Sequence, residues 1–134
     1  MQWQKNMQLI DANVILRYLL NDHEEMSIKA KNLISSGTVY TKPEVISEVI
    51  YVLKGVYSVS RNEIRSFIYT LLNDIYCDEA SCIQYAMDIY AEISLDFVDC
   101  LLIAYHKINK ENIFSFDKKL NKQLEKRKDY DENE

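Results

Sequence analysis

Met7-Gln8-Leu9-Ile10-Asp11-Ala12-Asn13-Val14-Ile15-Leu16 is the stretch on which the fold turns. A short apolar run, Met7–Ile10, halts at an aspartate, and a helical pattern follows at once from Val14 to Leu20. Strand, polar residue, helix is the opening of a βα unit. The pattern recurs downstream. Val39-Tyr40-Thr41 precedes a helix over about 43–54, and Ile75–Cys77 precedes one that Asp78 caps and that runs to about Glu92. Ile113-Phe114-Ser115-Phe116 reads as a final buried strand, ending at Asp117 before a basic helix from Lys118. Strands alternating with helices predict an α/β domain with a mainly parallel central sheet of four to five strands.

The remaining helices are marked by their ends. Residues 26–35 place Ile28, Leu33 and Ile34 on one stripe, and Gly37 is positioned to end that helix. Thr41 and Glu44 form a capping box with Pro43 in the first turn, and Val45, Val49, Val52, Leu53 and Val56 follow as the expected buried face. Ser60 and Glu63 form a second box, opening a helix to about Leu72, and Asp96 caps one from Phe97 to about Asn109.

Composition agrees with one domain. The 134 residues carry only two Gly and one Pro, too few turn-formers for an all-β protein. The reading is a single domain over 1–128 and a charged, disordered tail over 129–134. Cys77, Cys82 and Cys100 form no C-x-x-C pair, and with His23 and His106 they supply no zinc-site spacing, so they read as small buried hydrophobes in a reducing compartment. The N-terminus lacks an apolar signal core and no apolar run approaches a membrane span, which places the protein in the cytoplasm.

Four carboxylates stand at apolar-flanked positions. Asp11 and Asp117 follow apolar runs, where an open parallel sheet collects ligands. Glu48 lies between Val45 and Val52, bordering the expected apolar face, and Asp99 sits in the first turn of the most apolar helix. Each has a plainer reading. Asp11 and Asp117 suit helix caps, Asp99 the partner of Asp96 in a capping arrangement, and Glu48 a side chain reaching from a helix edge. Taken together, with no matching buried Lys or Arg, they suggest a hard divalent cation, Mg²⁺ or Mn²⁺.

These residues also resemble a known family. Leu9-Ile10-Asp11-Ala12-Asn13-Val14 is similar to the opening of PIN-domain nucleases, and Ser47-Glu48-Val49 to their second acidic position on a helix opened by Pro-Glu. Asp96-Phe97-Val98-Asp99-Cys100-Leu101 resembles the third, and Ser115-Phe116-Asp117-Lys118-Lys119-Leu120 the Thr/Ser-Phe-Asp signature. The matches keep family order from about 7 to 124, with Ala12 standing where the family carries a hydroxyl residue. The resemblance, closest to the small VapC-type toxins of bacterial toxin–antitoxin pairs, implies a metal-dependent endoribonuclease. Asp11, Glu48, Asp99 and Asp117 would hold one or two Mg²⁺ or Mn²⁺ ions, with Asn13, Asp96 and Ser115 as accessory residues. It further implies an RNA substrate, a small antitoxin partner and a homodimer.

Physical chemistry is consistent with that implication, because a phosphodiester repels anionic nucleophiles and its hydrolysis needs cations to neutralise it and acidify a water. The formal charge of −5 conceals a division: residues 1–104 carry net −6, residues 105–128 net +5 and the tail −4. The basic block places Lys118, Lys119 and Lys122 just after Asp117, as candidate RNA contacts or as a solvated helix face. Of the ten tyrosines, Tyr51, Tyr57, Tyr69 and Tyr76 read mainly as packing, with a minority facing a partner. Asn13 occupies the place of the second aspartate that an Asp-nucleophile phosphatase needs. A PIN-like binding module with weak or no nuclease activity, suggested by Ala12, is the alternative function.

Overall fold

The computed structural model describes residues 6–132, with side chains through Arg127, as two compact units that divide between Ala80 and Ser81. The first unit is α/β. Its elements are β1 (Gln8–Leu9), α1 (Ala12–Leu20), α2 (Glu24–Ser35), β2 (Val39–Thr41), α3 (Pro43–Gly55), α4 (Arg61–Asp74) and β3 (Tyr76–Cys77). The strands form a parallel sheet in the order β1-β2-β3, with Gln8 opposite Val39 and Thr41 opposite Cys77. Each parallel step needs a long crossover, supplied by α1–α2 and then by α3–α4. The α/β class and parallel sheet are as expected, but among the described residues the sheet has three strands rather than four or five.

Local signals account for most helix ends here. Asn21 closes α1 in the left-handed region, and Gly37, at φ 73°, follows α2 as the sequence predicts. His23 starts α2 by accepting the Met26 N–H on Nδ1 at 3.2 Å, a cap that an imidazole reading as a metal ligand would miss. Ser60 caps α4, accepting from the Glu63 N–H at 3.2 Å while its hydroxyl donates to the Glu63 carboxylate at 3.1 Å. Side-chain bonds then tie the helices to their surroundings. Arg17 meets Asp22 at 2.8 Å and donates to the Tyr57 hydroxyl at 3.2 Å, and the Tyr18 hydroxyl donates to Asp74.

Several local expectations fail. Lys42, not Thr41, is the N-cap of α3 and makes no side-chain cap bond; Thr41 belongs to β2, fully buried, its hydroxyl without a hydrogen-bond partner among the described residues. α3 buries Val49 and Leu53 of the expected stripe together with Pro43, Ile46 and Ile50, whereas Val45 and Val52 are half-buried and Val56 is exposed. Its apolar residues spread wider than the buried side, so the period alone does not say which of them face inward. On α2 the buried residues are Ser27, Ala30 and Ile34, and Ile28 is exposed. Of the four tyrosines read mainly as packing, Tyr51, Tyr57 and Tyr76 are exposed.

The second unit is helical: α5 (Ala80–Glu92), which opens with the last residue of the first unit, α6 (Phe97–Asn109) and α7 (Lys118–Glu132). α5 begins two residues after Asp78, behind Glu79 at φ 59°, and Asp78 instead meets Lys42 at 3.7 Å. Cys82, Ile83, Ala86, Met87 and Tyr90 of α5, Cys100, Leu101, Ile103 and Ala104 of α6, and Leu120 and Leu124 of α7 are buried. α7 continues into 129–132, where a disordered tail is expected; residues 133–134 lie outside the described residues. Ile113–Phe116 is not a buried strand. The segment has no regular secondary structure, and Phe114 and Phe116 are 82% and 91% exposed, packed edge to face with centroids 5.2 Å apart. Apolar composition predicts burial only where something pairs with the run, and among the described residues no strand pairs with this one. No helix among the described residues is long and apolar enough to cross a membrane.

Candidate functional site

In the first unit Asp11 is exposed and caps α1, with Oδ1 accepting the Val14 N–H at 3.2 Å. The cap reading of this residue is therefore correct, and it leaves the second carboxylate oxygen available. Ala12, the next residue, is buried and brings no hydroxyl to the acid. Asn13 is exposed and lines a groove of about 290 Å³ between α1 and α2, with Arg17, Met26 and Lys29. Glu48 does not border the buried face. It is exposed on the opposite side of α3 from Ile46, Ile50 and Leu53, between the half-buried Val45 and Val52.

The second unit draws acids together. Asp96 is the N-cap of α6, makes no side-chain cap bond and is exposed. Asp99 follows in the first turn, half-buried and without an ion-pair partner among the described residues. Partial burial, then the facing charges of Asp117 and Asp96, hold the Asp99 carboxyl above the usual carboxylate range. Asp117 is exposed at the start of α7, where its Oδ1 accepts the Leu120 N–H at 2.8 Å. Like Asp11, it uses one oxygen as a cap and leaves one toward solvent.

Ser115 holds this corner. Its hydroxyl accepts the Asp117 N–H at 2.9 Å, and its carbonyl accepts from Asn121 Nδ2 at 2.8 Å. Asn121 escaped the sequence reading because its partner lies six residues back across a loop, a distance at which no helical or strand period speaks. Lys118 and Lys122 are exposed, whereas Lys119 is engaged, its ammonium donating to the Ser94 carbonyl at 2.6 Å.

The donor set is all carboxylate oxygen, the chemistry that suits Mg²⁺ or Mn²⁺ rather than a soft metal. Asp96, Asp99 and Asp117 fit such an ion in kind, since the repulsion of Asp99 by the other two is what a bound cation relieves. Among the described residues no three His, Cys, Asp or Glu side chains are drawn together tightly enough to form a finished cage.

A strand ending at a capping aspartate, acids opening two later helices and a parallel α/β sheet together define a class. The chain belongs to the PIN-domain family, whose model matches residues 9–124. It is also similar to the VapC ribonuclease of Aquifex aeolicus (strain VF5), at 27% identity over 129 residues, covering 87% of this chain and 91% of the relative. No solved structure matches the chain.

Proposed function

We propose that this chain is a metal-dependent endoribonuclease that hydrolyses RNA phosphodiester bonds as the toxin of a bacterial toxin–antitoxin pair. The observation that carries the reading is the juxtaposition of Asp99 with Asp96 and Asp117 at the starts of α6 and α7, two carboxylates whose charges act on a third, with no basic partner among the described residues. The PIN-domain match and the similarity to a VapC ribonuclease support it. Asp11, Glu48, Asp99 and Asp117 are the proposed oxygen donors for one or two Mg²⁺ or Mn²⁺ ions. Bound there, the cation supplies the positive charge that neutralises the scissile phosphate and acidifies a water.

The chain's own residues do the rest. Asp11 and Asp117 are oriented by their caps, which fix one oxygen and so aim the other. Ser115 and Asn121 keep the Asp117 backbone in place, Asn13 orients a carboxylate or the water, and Asp96 adds negative charge behind Asp99. Lys118 and Lys122 attract the RNA backbone, with Lys119 serving first to tie α7 to Ser94. A small antitoxin, a homodimer and a cytoplasmic location complete the reading.

The test is cleavage of single-stranded RNA by the purified chain in Mn²⁺ or Mg²⁺, against EDTA. Cleavage that requires the metal and disappears in Asp11→Asn and Asp99→Asn, with circular dichroism unchanged, is the expected result. Cleavage surviving in either variant overturns the site, and no cleavage in any divalent ion favours a binding module.

A further inference from the structure

The second unit contains a basic pocket that the proposed chemistry does not use. Tyr85 and Glu92 of α5, Ile93, Lys107 of α6, and Gln123, Lys126 and Arg127 of α7 line a cavity of about 510 Å³. Three cations face one carboxylate there. α7 buries Leu120, Gln123 and Leu124, and one turn further along the same face comes Arg127, half-buried where its neighbours go inward.

Arg127 is held on several sides. Its Nε donates to the Tyr85 hydroxyl at 3.1 Å, and its Nη1 donates to the Gln123 carbonyl at 3.0 Å and to Gln123 Oε1 at 2.9 Å. The guanidinium carbon also stands 6.0 Å from the Tyr85 ring centroid, within reach of a cation–π interaction. Among the described residues Arg127 makes no ion pair, with Glu92 or with any other acid, and Nη2 has no partner. An arginine whose planar fork is already oriented, with a donor left over and no ion pair among the described residues, binds a phosphate with little further loss of freedom. Gln123 is itself buried, and its side chain serves to aim the guanidinium.

We infer that this pocket is an anion site for a backbone phosphate of single-stranded RNA, with Arg127 as the oriented donor, Lys126 and Lys107 as accompanying charge, and Tyr85 and Gln123 as positioning residues. The choice of RNA rests on the ribonuclease reading, while the anion chemistry stands on the pocket itself. Tyr85 would not be picked from sequence, because only the packing of α5 against α7 brings it beside Arg127.

Binding, not cleavage, is the readout. Anisotropy of a labelled single-stranded RNA in EDTA, titrated with the full chain at several salt concentrations, gives the slope of log affinity against log salt. Each phosphate contact on a single strand contributes about 0.7 to that slope, so Arg127→Ala and Lys126→Gln each lower it by roughly 0.7, and their affinity falls about 2.6-fold less across a fourfold salt step. Lys31→Gln, an exposed lysine on α2, leaves the slope as it is. Tyr85→Phe keeps the contact but weakens affinity at unchanged slope, which a merely structural tyrosine would not do. Should Arg127→Ala unfold, Lys126→Gln and Tyr85→Phe decide the matter. Folded variants with the wild-type slope and affinity overturn the inference, as does an oligoglutamate peptide whose binding needs Arg127 while the RNA slope does not change. The two readings separate: a slope change without metal-dependent cleavage removes the ribonuclease reading alone, and cleavage without a slope change removes this site alone.

Discussion

Asp117 gives the sharpest prediction, because the structure assigns one of its oxygens to the helix and the proposal assigns the other to a cation. Asp117→Ala removes both. The lost Oδ1–Leu120 cap costs about 1 kcal/mol, within a range of roughly 0.5–2, because the Leu120 N–H is left without its partner. For a chain of this length that lowers the melting temperature by about 3–5 °C. Asp117→Asn removes only the charge. Asparagine caps as well as aspartate, and the lost interaction with the α7 dipole, about 0.3–1 kcal/mol, is offset by relief of the repulsion on Asp99. The asparagine variant therefore melts within roughly 2 °C of the wild type. Both variants should lose more than the roughly 100-fold that removal of an outer-shell partner costs, since a donor itself is gone. Thermal melts by circular dichroism, paired with Mn²⁺-dependent RNA cleavage, measure the two roles separately. An asparagine variant that cleaves RNA normally would make Asp117 a cap and nothing more. An alanine variant that melts with the wild type would refute the capping argument.

Asp99→Asn should stabilise the metal-free chain at neutral pH. A carboxyl raised in the folded state stabilises fully below its unfolded value of 3.8 and loses that contribution as pH climbs through the folded value, so the advantage of the variant in EDTA opens from acid to neutral pH. Mn²⁺ should close the gap by raising the melting temperature of the wild type only, and a gap independent of pH would contradict the assignment. Thr41→Val keeps the shape of a fully buried side chain and removes a hydroxyl that has no partner among the described residues, so urea denaturation should show a gain of about 1 kcal/mol. Ser60→Ala, which deletes the α4 cap, should cost about 1 kcal/mol in the same assay without changing cleavage.

Asp11 and Asp117 were legible in the sequence because their signal is local: an apolar run, an aspartate and a helix in immediate succession. Asp99 was legible because a charge in so apolar a helix stands out. For Glu48 the sequence pattern points to the wrong face of its helix. α3 carries valines at 45, 52 and 56 as well as the inward Ile46, Ile50 and Leu53, and which set turns inward is a matter of what packs against the helix. Phe114 and Phe116 misled for the same reason, since side-chain type predicts burial only when a partner exists. The bonds from Ser115 to Asn121 and from Arg127 to Tyr85 join residues that no period relates, and they became visible only with the helices in place.

The three cysteines have a consequence for experiment. Cys77 lies in the first unit and Cys82 and Cys100 in the second, all buried, none in a disulfide. Burial, then the nearby Asp78 and Glu44 charges, pushes the Cys77 thiol up to about 12, so almost none of it is thiolate in the folded chain at neutral pH. Alkylation must wait for the surrounding structure to open. The labelling rate at Cys77, read by mass spectrometry beside those at Cys82 and Cys100, thus clocks the opening of each unit in the unmodified protein.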